Sequence, residues 1–139
     1  MCIVNMFLVV LICLILSIIV CPYIYEYYND DPKIEELKNK LSVVFPDIKN
    51  IKIYNSSGRS YTINKHKVYI CTKDKDGKYY DDNMLIYVLL HEYSHILCDE
   101  IGHTEKFHDI FSKVVAKATL EKIYDPNISL VENYCEHKS

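Results

Sequence analysis

The chain begins with a long apolar segment that carries no charge. From Met1 to Tyr25 there is no acidic or basic residue, and only Asn5 and Ser17 interrupt a hydrophobic run that reaches Val20. About 20 apolar residues suffice for a helix to cross the hydrocarbon core of a bilayer. We therefore predict a transmembrane signal anchor at residues 1–24, followed by one domain at residues 25–139.

A cleaved signal peptide is the competing interpretation of this segment. Such peptides normally have a basic start, a shorter apolar core and a small-x-small cleavage site. Here the basic start is missing, and Ser17 and Cys21 make a poor cleavage pattern. A buried core helix fits neither the length nor the position, so the pattern favours an uncleaved anchor.

Two signals for the orientation of the anchor disagree. Lys33, Lys38 and Lys40 follow the apolar segment, which favours a cytosolic domain under the positive-inside rule. Glycosylation sequons begin at Asn55 and Asn127, which favours a lumenal domain. The prediction is a single-pass membrane protein, and the sequence leaves its orientation open.

Beyond the anchor, the spacing of apolar residues changes from helical to alternating and back to helical. The pattern predicts a helix at Lys33–Phe45 that Pro46 ends, and then three strands, at Ile51–Tyr54, Tyr61–Ile63 and Lys67–Cys71. It next predicts a largely buried helix from Asp81 or Asp82 to about Cys98, and a helix from Thr104 that Asp125-Pro126 stops. The final dozen residues show no pattern. Helix, antiparallel strands and then helices indicate an α+β domain.

Charge and cysteine content narrow the class of protein. Without the anchor roughly 110 residues remain, enough for one domain with its own core. All charge, net -3, lies in this part, so no nucleic-acid partner is expected, because nucleic-acid binding normally needs a basic surface. Cys71, Cys98 and Cys135 form no CxxC pair, which excludes a disulfide framework or zinc ribbon but allows one disulfide in an exported domain.

The predicted buried helix contains the candidate chemistry, His91-Glu92-Tyr93-Ser94-His95. Two histidines four residues apart lie on one helical face, so both imidazoles can bind the same metal ion. In HExxH enzymes the glutamate between them takes a proton from the water that zinc activates. Burying Glu92 and two imidazoles in an otherwise apolar helix costs free energy. Their presence there therefore favours a functional role. We predict a Zn²⁺ site with Glu92 as the general base.

A catalytic zinc site needs a third protein ligand and one open position. His103 is the preferred candidate, because it follows Gly102 where the chain must reverse between two helices. His108 and Cys98 are the alternatives, although a cysteine at such a position is more often a small buried apolar residue. Glu105 could orient an imidazole from outside the metal site, but a solvated glutamate is its more ordinary role. The remaining candidates, His66 and His137, are predicted to be surface residues.

The HExxH helix followed by Gly102, His103 and Phe107 resembles the WLM/SprT-like metallopeptidases, over roughly Tyr61 to Pro126. The resemblance implies a zincin-like domain, with a short, mostly antiparallel sheet packed on the active-site helix and a following helix. It also implies that His91, His95 and His103 bind zinc and that Glu92 is the base. The chain also looks similar to small predicted metallopeptidases encoded by large DNA viruses, which implies that the anchor lies in a viral or host-cell membrane.

Departures from this family restrict what the resemblance implies. Several members use basic or zinc-binding appendages to act on proteins that are crosslinked to DNA. This sequence shows neither kind of appendage, so a DNA-repair role is not expected. The interval from His95 to His103 is longer than in HExxHxxGxxH enzymes, which excludes the metzincin label.

The predicted function is that of a membrane-anchored endopeptidase acting on a protein or peptide, with a catalytically inactive zinc-binding module as the first alternative. A hydrolase of another amide or ester is the second. The strand at Lys67–Cys71 is a hypothetical edge for an extended peptide. None of the 13 tyrosines stands out as the oxyanion donor, and the oligomeric state is open.

Overall fold

The N-terminal helix, α1, spans Cys2–Tyr28 in the computed structural model, which describes residues 2–28 and 31–135. Within it, Met6–Ile24 is long and apolar enough to cross a membrane, and a signal sequence has the same properties. Its apolar side chains are exposed. The chain divides into two compact units after Asp30.

The second unit has an α+β architecture built from three helices, a 3-10 turn and three short strands. In chain order these are α2 (Pro32–Ser42), the 3-10 turn (Pro46–Asn50), β1 (Lys52–Asn55), β2 (Tyr61–Ile63), β3 (Lys67–Ile70), α3 (Asp82–Leu97) and α4 (Glu105–Leu120). The predicted element types are confirmed. Helix α2 ends at Ser42, before the predicted Phe45. Phe45 itself is not helical, with φ of -125° and ψ of 79°, as expected for the residue directly before a proline.

The three strands form a mixed sheet in the order β1-β3-β2, so the prediction of a mostly antiparallel sheet is wrong. β1 pairs with β3 in parallel, whereas β2 pairs with β3 in the antiparallel direction. The segment after Asn55 does not turn β1 back onto β2, because the Ser56 N–H continues the pairing by donating to the Ile70 carbonyl at 2.8 Å. β3 is the central strand, and its Val68 and Ile70 are buried.

Helix α3 lies at the centre of the domain and packs against α2, β2, β3 and α4. Asp81 begins it by accepting a hydrogen bond from the Met84 N–H at 3.0 Å, a favourable N-cap. Its apolar residues are buried around most of the helix, as predicted, and Glu92 and Ser94 are buried among them. Packing on four sides therefore holds the HExxH segment in one orientation.

Helix α4 ends at Leu120, before the predicted stop at Asp125. Lys122 adopts a left-handed conformation with φ of 57°, and the Ile123 N–H then donates to the Ala118 carbonyl at 2.9 Å. This is a Schellman-type helix end, which usually has glycine at the left-handed position. A lysine at this position is not a recognisable sequence signal for a helix end, which explains the error in the predicted boundary.

The segment after α4 packs on the domain instead of forming the unpatterned tail that we predicted. Tyr124 is buried in the core, and Leu130 and Tyr134 pack against it. Cys135 forms a disulfide with Cys71, at the end of β3, with their Cα atoms 6.1 Å apart. The covalent bond joins residues 64 positions apart and fixes this C-terminal segment beside the sheet.

Candidate metal centre

Three imidazoles from two neighbouring segments converge on one point. His91 and His95 are one turn apart on α3, and His103 lies in the loop that leads to α4. Their ligand nitrogens all lie within 4.8 Å of one another. The Nε2 atoms of His91 and His103 are 3.0 Å apart. Zn–N bonds of about 2.0–2.1 Å place two nitrogens of a tetrahedral site roughly 3.3 Å apart. The separation of His91 and His103 is close to this value, and three imidazoles are a donor set that suits zinc.

The loop between α3 and α4 brings His103 back toward α3. Gly102 has φ of +86°, a conformation that glycine adopts without strain. Thr104 then caps α4 by accepting a hydrogen bond from the Phe107 N–H at 3.3 Å. An exposed ion pair between Lys106 and Asp99, at 2.6 Å, links the two ends of the loop.

The two alternative third ligands lie outside the imidazole cluster. His108 is exposed on α4, with its ring centroid 6.3 Å from that of His103. Cys98 is fully buried, and its backbone carbonyl accepts a hydrogen bond from the Lys65 ammonium. Of the three candidates, the geometry brings only His103 to His91 and His95.

The remaining predicted candidates lie in ordinary surface positions or outside the described residues. Glu105 is exposed in the first turn of α4, and His66 is exposed in the turn between β2 and β3. The prediction for His137 falls outside the described residues.

The ring of Phe107 packs against the three imidazoles. Its side chain is fully buried, and its ring stacks on His95 with centroids 4.2 Å apart. It meets His91 edge-on at 5.1 Å and His103 edge-on at 4.8 Å. One aromatic ring therefore contacts all three candidate ligands, which gives a physical reason for a phenylalanine four residues after His103.

The surroundings of His91 and His95 favour the neutral imidazole, the form that binds metals. Burial is the main cause that lowers the pKa of His91 to about 4, and the nearby His95, His103 and His108 add to the effect. Burial likewise lowers the pKa of His95, with a further contribution from His103. At neutral pH both α3 imidazoles therefore carry a free nitrogen lone pair, as metal binding requires.

The Glu92 carboxylate is buried beside the cluster and has one hydroxyl donor that the sequence did not reveal. Thr62, on β2, donates its hydroxyl to Glu92 Oε2 at 2.7 Å. Burial raises the pKa of Glu92, and the Thr62 hydrogen bond partly offsets this increase. The two residues are 30 positions apart, so only the packing of β2 on α3 brings them together.

The metal-free protein should lose stability as the pH falls from 6.5 toward 4. A folded-state pKa below the unfolded value means that folding favours neutral His91, so its stabilising contribution is present above pH 6.5 and is lost on acidification. Urea unfolding of the zinc-depleted chain at pH 7 and pH 5 measures the effect. The His91→Gln variant, which cannot titrate there, should show a smaller difference, and an equal difference would contradict the assignment.

Comparisons with known proteins identify viral relatives of uncharacterised function. The chain is 49% identical over 80 residues to protein 136R of Invertebrate iridescent virus 6, covering 55% of this chain and 45% of that protein. It is 42% identical over 87 residues to protein 042R of Invertebrate iridescent virus 3, covering 62% of this chain and 54% of that protein. The matches therefore span about half the length of these relatives. No protein-family model matches the chain.

A solved structure shares the fold. The crystal structure of a Wss1 mutant from Saccharomyces cerevisiae superposes with a TM-score of 0.56 and 15% identity, covering 66% of this chain and 79% of that one. At this identity the likeness concerns the fold alone. The described chain thus has an α+β fold like that of Wss1, and it has relatives among viral proteins.

Proposed function

We propose that this chain is a zinc-dependent endopeptidase in which His91, His95 and His103 hold the metal and Glu92 is the general base. The observation that carries the proposal is the convergence of the three imidazole nitrogens within 4.8 Å beside a buried carboxylate. An inactive zinc-binding module would need the imidazoles but has no use for a buried carboxylate. The WLM-like fold supports the same choice.

Each residue has a distinct part in the proposed reaction. When bound, zinc would polarise the scissile carbonyl and lower the pKa of water. Glu92 takes a proton from the attacking water and delivers it to the departing amine. Thr62 holds Glu92 Oε2 and so restricts the direction in which the carboxylate points. The hydroxyl of Tyr134 already donates to the Cys71 carbonyl at 2.5 Å, which makes it a poor oxyanion donor.

A peptide substrate is best accommodated along β2. The hypothetical edge at Lys67–Cys71 is wrong, because β3 is flanked by β1 and β2 and has no free edge. β2 is the outer strand next to α3, and its Thr62 contacts Glu92 directly. An extended substrate that adds to this edge would present its backbone beside the base.

The proposed location is a membrane surface that faces an oxidising compartment, with α1 as a single-pass anchor. The disulfide between Cys71 and Cys135 supports this orientation, because such bonds persist mainly in exported domains. The sequon asparagine Asn127 is exposed, as glycosylation requires. A full-length chain whose catalytic domain is cleaved by protease added to the cytosolic side of intact microsomes would contradict this orientation.

The experiment for the function itself is metal removal and restoration. The full chain in detergent should cleave an unfolded protein substrate, lose this activity on dialysis against a chelator, and regain it with about one equivalent of Zn²⁺. An ester or non-peptide amide substrate, assayed in parallel, tests the alternative hydrolase. Cleavage that persists without metal would refute the proposal.

A further inference from the structure

A cavity of about 620 Å³ opens beside His91 and Glu92. Its inner wall is one stripe of α3, because positions 84, 87, 88 and 91 recur at the spacing of a single helical face. The same stripe thus carries a candidate zinc ligand at one end and Met84, Tyr87 and Val88 along the rest. The volume falls within the range of ligand-binding pockets, about 300–1,000 Å³.

The lining of the cavity suits an apolar occupant. Met84 and Val88 present apolar side chains, and the ring of Tyr87 packs on Phe111 with centroids 5.4 Å apart. Among the lining residues only Glu92 and the exposed Arg59 carry full charges, and Thr62 already donates to one oxygen of the Glu92 carboxylate. A charged side chain would lose its water here with little compensation, whereas an apolar one gains by leaving water.

Tyr134 and Cys135 of the C-terminal segment form a second wall of the cavity. A disulfide and several hydrogen bonds hold this segment in place. The disulfide fixes Cys135 to Cys71. The Tyr134 hydroxyl shares a hydrogen bond with Ser60 Oγ at 3.0 Å, and Ser60 Oγ accepts the Cys71 N–H at 3.1 Å. The Cys135 N–H donates to the Tyr80 hydroxyl at 3.0 Å. This wall is therefore preorganised before any ligand enters.

We propose that this cavity is the substrate-selecting subsite and that it binds a large apolar side chain, aliphatic or aromatic, next to the scissile bond. The proposal rests on the proposed peptidase function. Val88 and Tyr134, which both line the cavity, determine the size of the side chain that enters. The disulfide is part of the specificity, because it holds the second wall.

The test uses peptides that differ at one position beside the cleaved bond, carrying Phe, Leu, Ala, Asp or Lys. The full wild-type chain should cleave the Phe and Leu peptides with kcat/KM at least about tenfold above the others, as expected for a hydrophobic pocket. Val88→Phe, which fills the cavity, should shift the preference to Ala without changing zinc content. Val88→Ala should keep the preference for large residues, and Cys135→Ser should weaken it through KM.

Binding to the zinc-loaded Glu92→Gln chain separates this inference from the proposed function. Fluorescence anisotropy should rank the same peptides in the same order without any cleavage. If the wild-type chain cleaves nothing while this ranking holds, the peptidase function fails and the apolar subsite stands. Cleavage by the wild type with no preference, or a preference that Val88→Phe leaves unchanged in both assays, would overturn the subsite. If a Val88 variant does not fold, the wild-type preference and the anisotropy ranking decide.

Discussion

Replacing Glu92 with glutamine should lower kcat/KM for peptide cleavage by about 10²–10⁴-fold, the usual contribution of a positioned general base. Glutamine has nearly the same shape, and its side-chain oxygen can still accept the Thr62 hydroxyl that now donates to Glu92 Oε2. The substitution therefore removes the ability to take a proton and leaves the packing intact. Zinc content and the unfolding midpoint should remain close to those of the wild-type chain.

The matched control for this variant is Glu105→Gln. Glu105 lies in the same part of the sequence, two residues after His103, but its side chain is exposed in the first turn of α4. Removing its charge should change kcat/KM less than about threefold, because exposed charges are strongly screened by water and salt. Equal losses in the two variants would mean that Glu92 acts through overall charge and not as the base.

Replacing Phe107 with alanine should reduce the free energy of unfolding by about 3–5 kcal/mol, the typical cost of removing a fully buried aromatic ring. The loss should be accompanied by weaker zinc binding, because this ring packs against His91, His95 and His103. Denaturant unfolding with and without Zn²⁺, together with a zinc titration, measures both effects.

Phe107→Leu is the comparison that separates packing from general disruption. Leucine fills much of the same buried volume, so it should cost less stability than alanine and preserve most of the zinc affinity. A Phe107→Ala variant that unfolds like the wild type, or that keeps full zinc affinity despite its lower stability, would show that the ring does not support the cluster.

Local features of the sequence were sufficient to predict the elements that carry the site. The N-caps Asp81 and Thr104 precede helices with clear apolar stripes, so α3 and α4 were predictable from neighbouring residues alone. The i, i+4 spacing of His91 and His95 requires only a helix. Placing His103 against them required a turn, which Gly102 signals.

The features that escaped prediction depend on contacts between distant residues. β1 pairs in parallel with β3 and not with its neighbour in the sequence, β2, and short alternating segments do not encode their partners. The Thr62–Glu92 hydrogen bond and the Cys71–Cys135 disulfide join residues 30 and 64 positions apart. The position of Tyr134 beside the cavity likewise depends on the packing of the C-terminal segment on the rest of the domain.

The most direct test of the central claim is the zinc content of the purified full chain and two histidine variants, measured by elemental analysis. The three-imidazole site predicts about one Zn²⁺ per wild-type chain, loss of the metal in His103→Ala, and retention in His108→Ala. His108 is the matched control, because it is an exposed histidine whose ring lies 6.3 Å from that of His103. A wild-type chain that binds no zinc, or one that loses it with His108→Ala and keeps it with His103→Ala, would contradict the account.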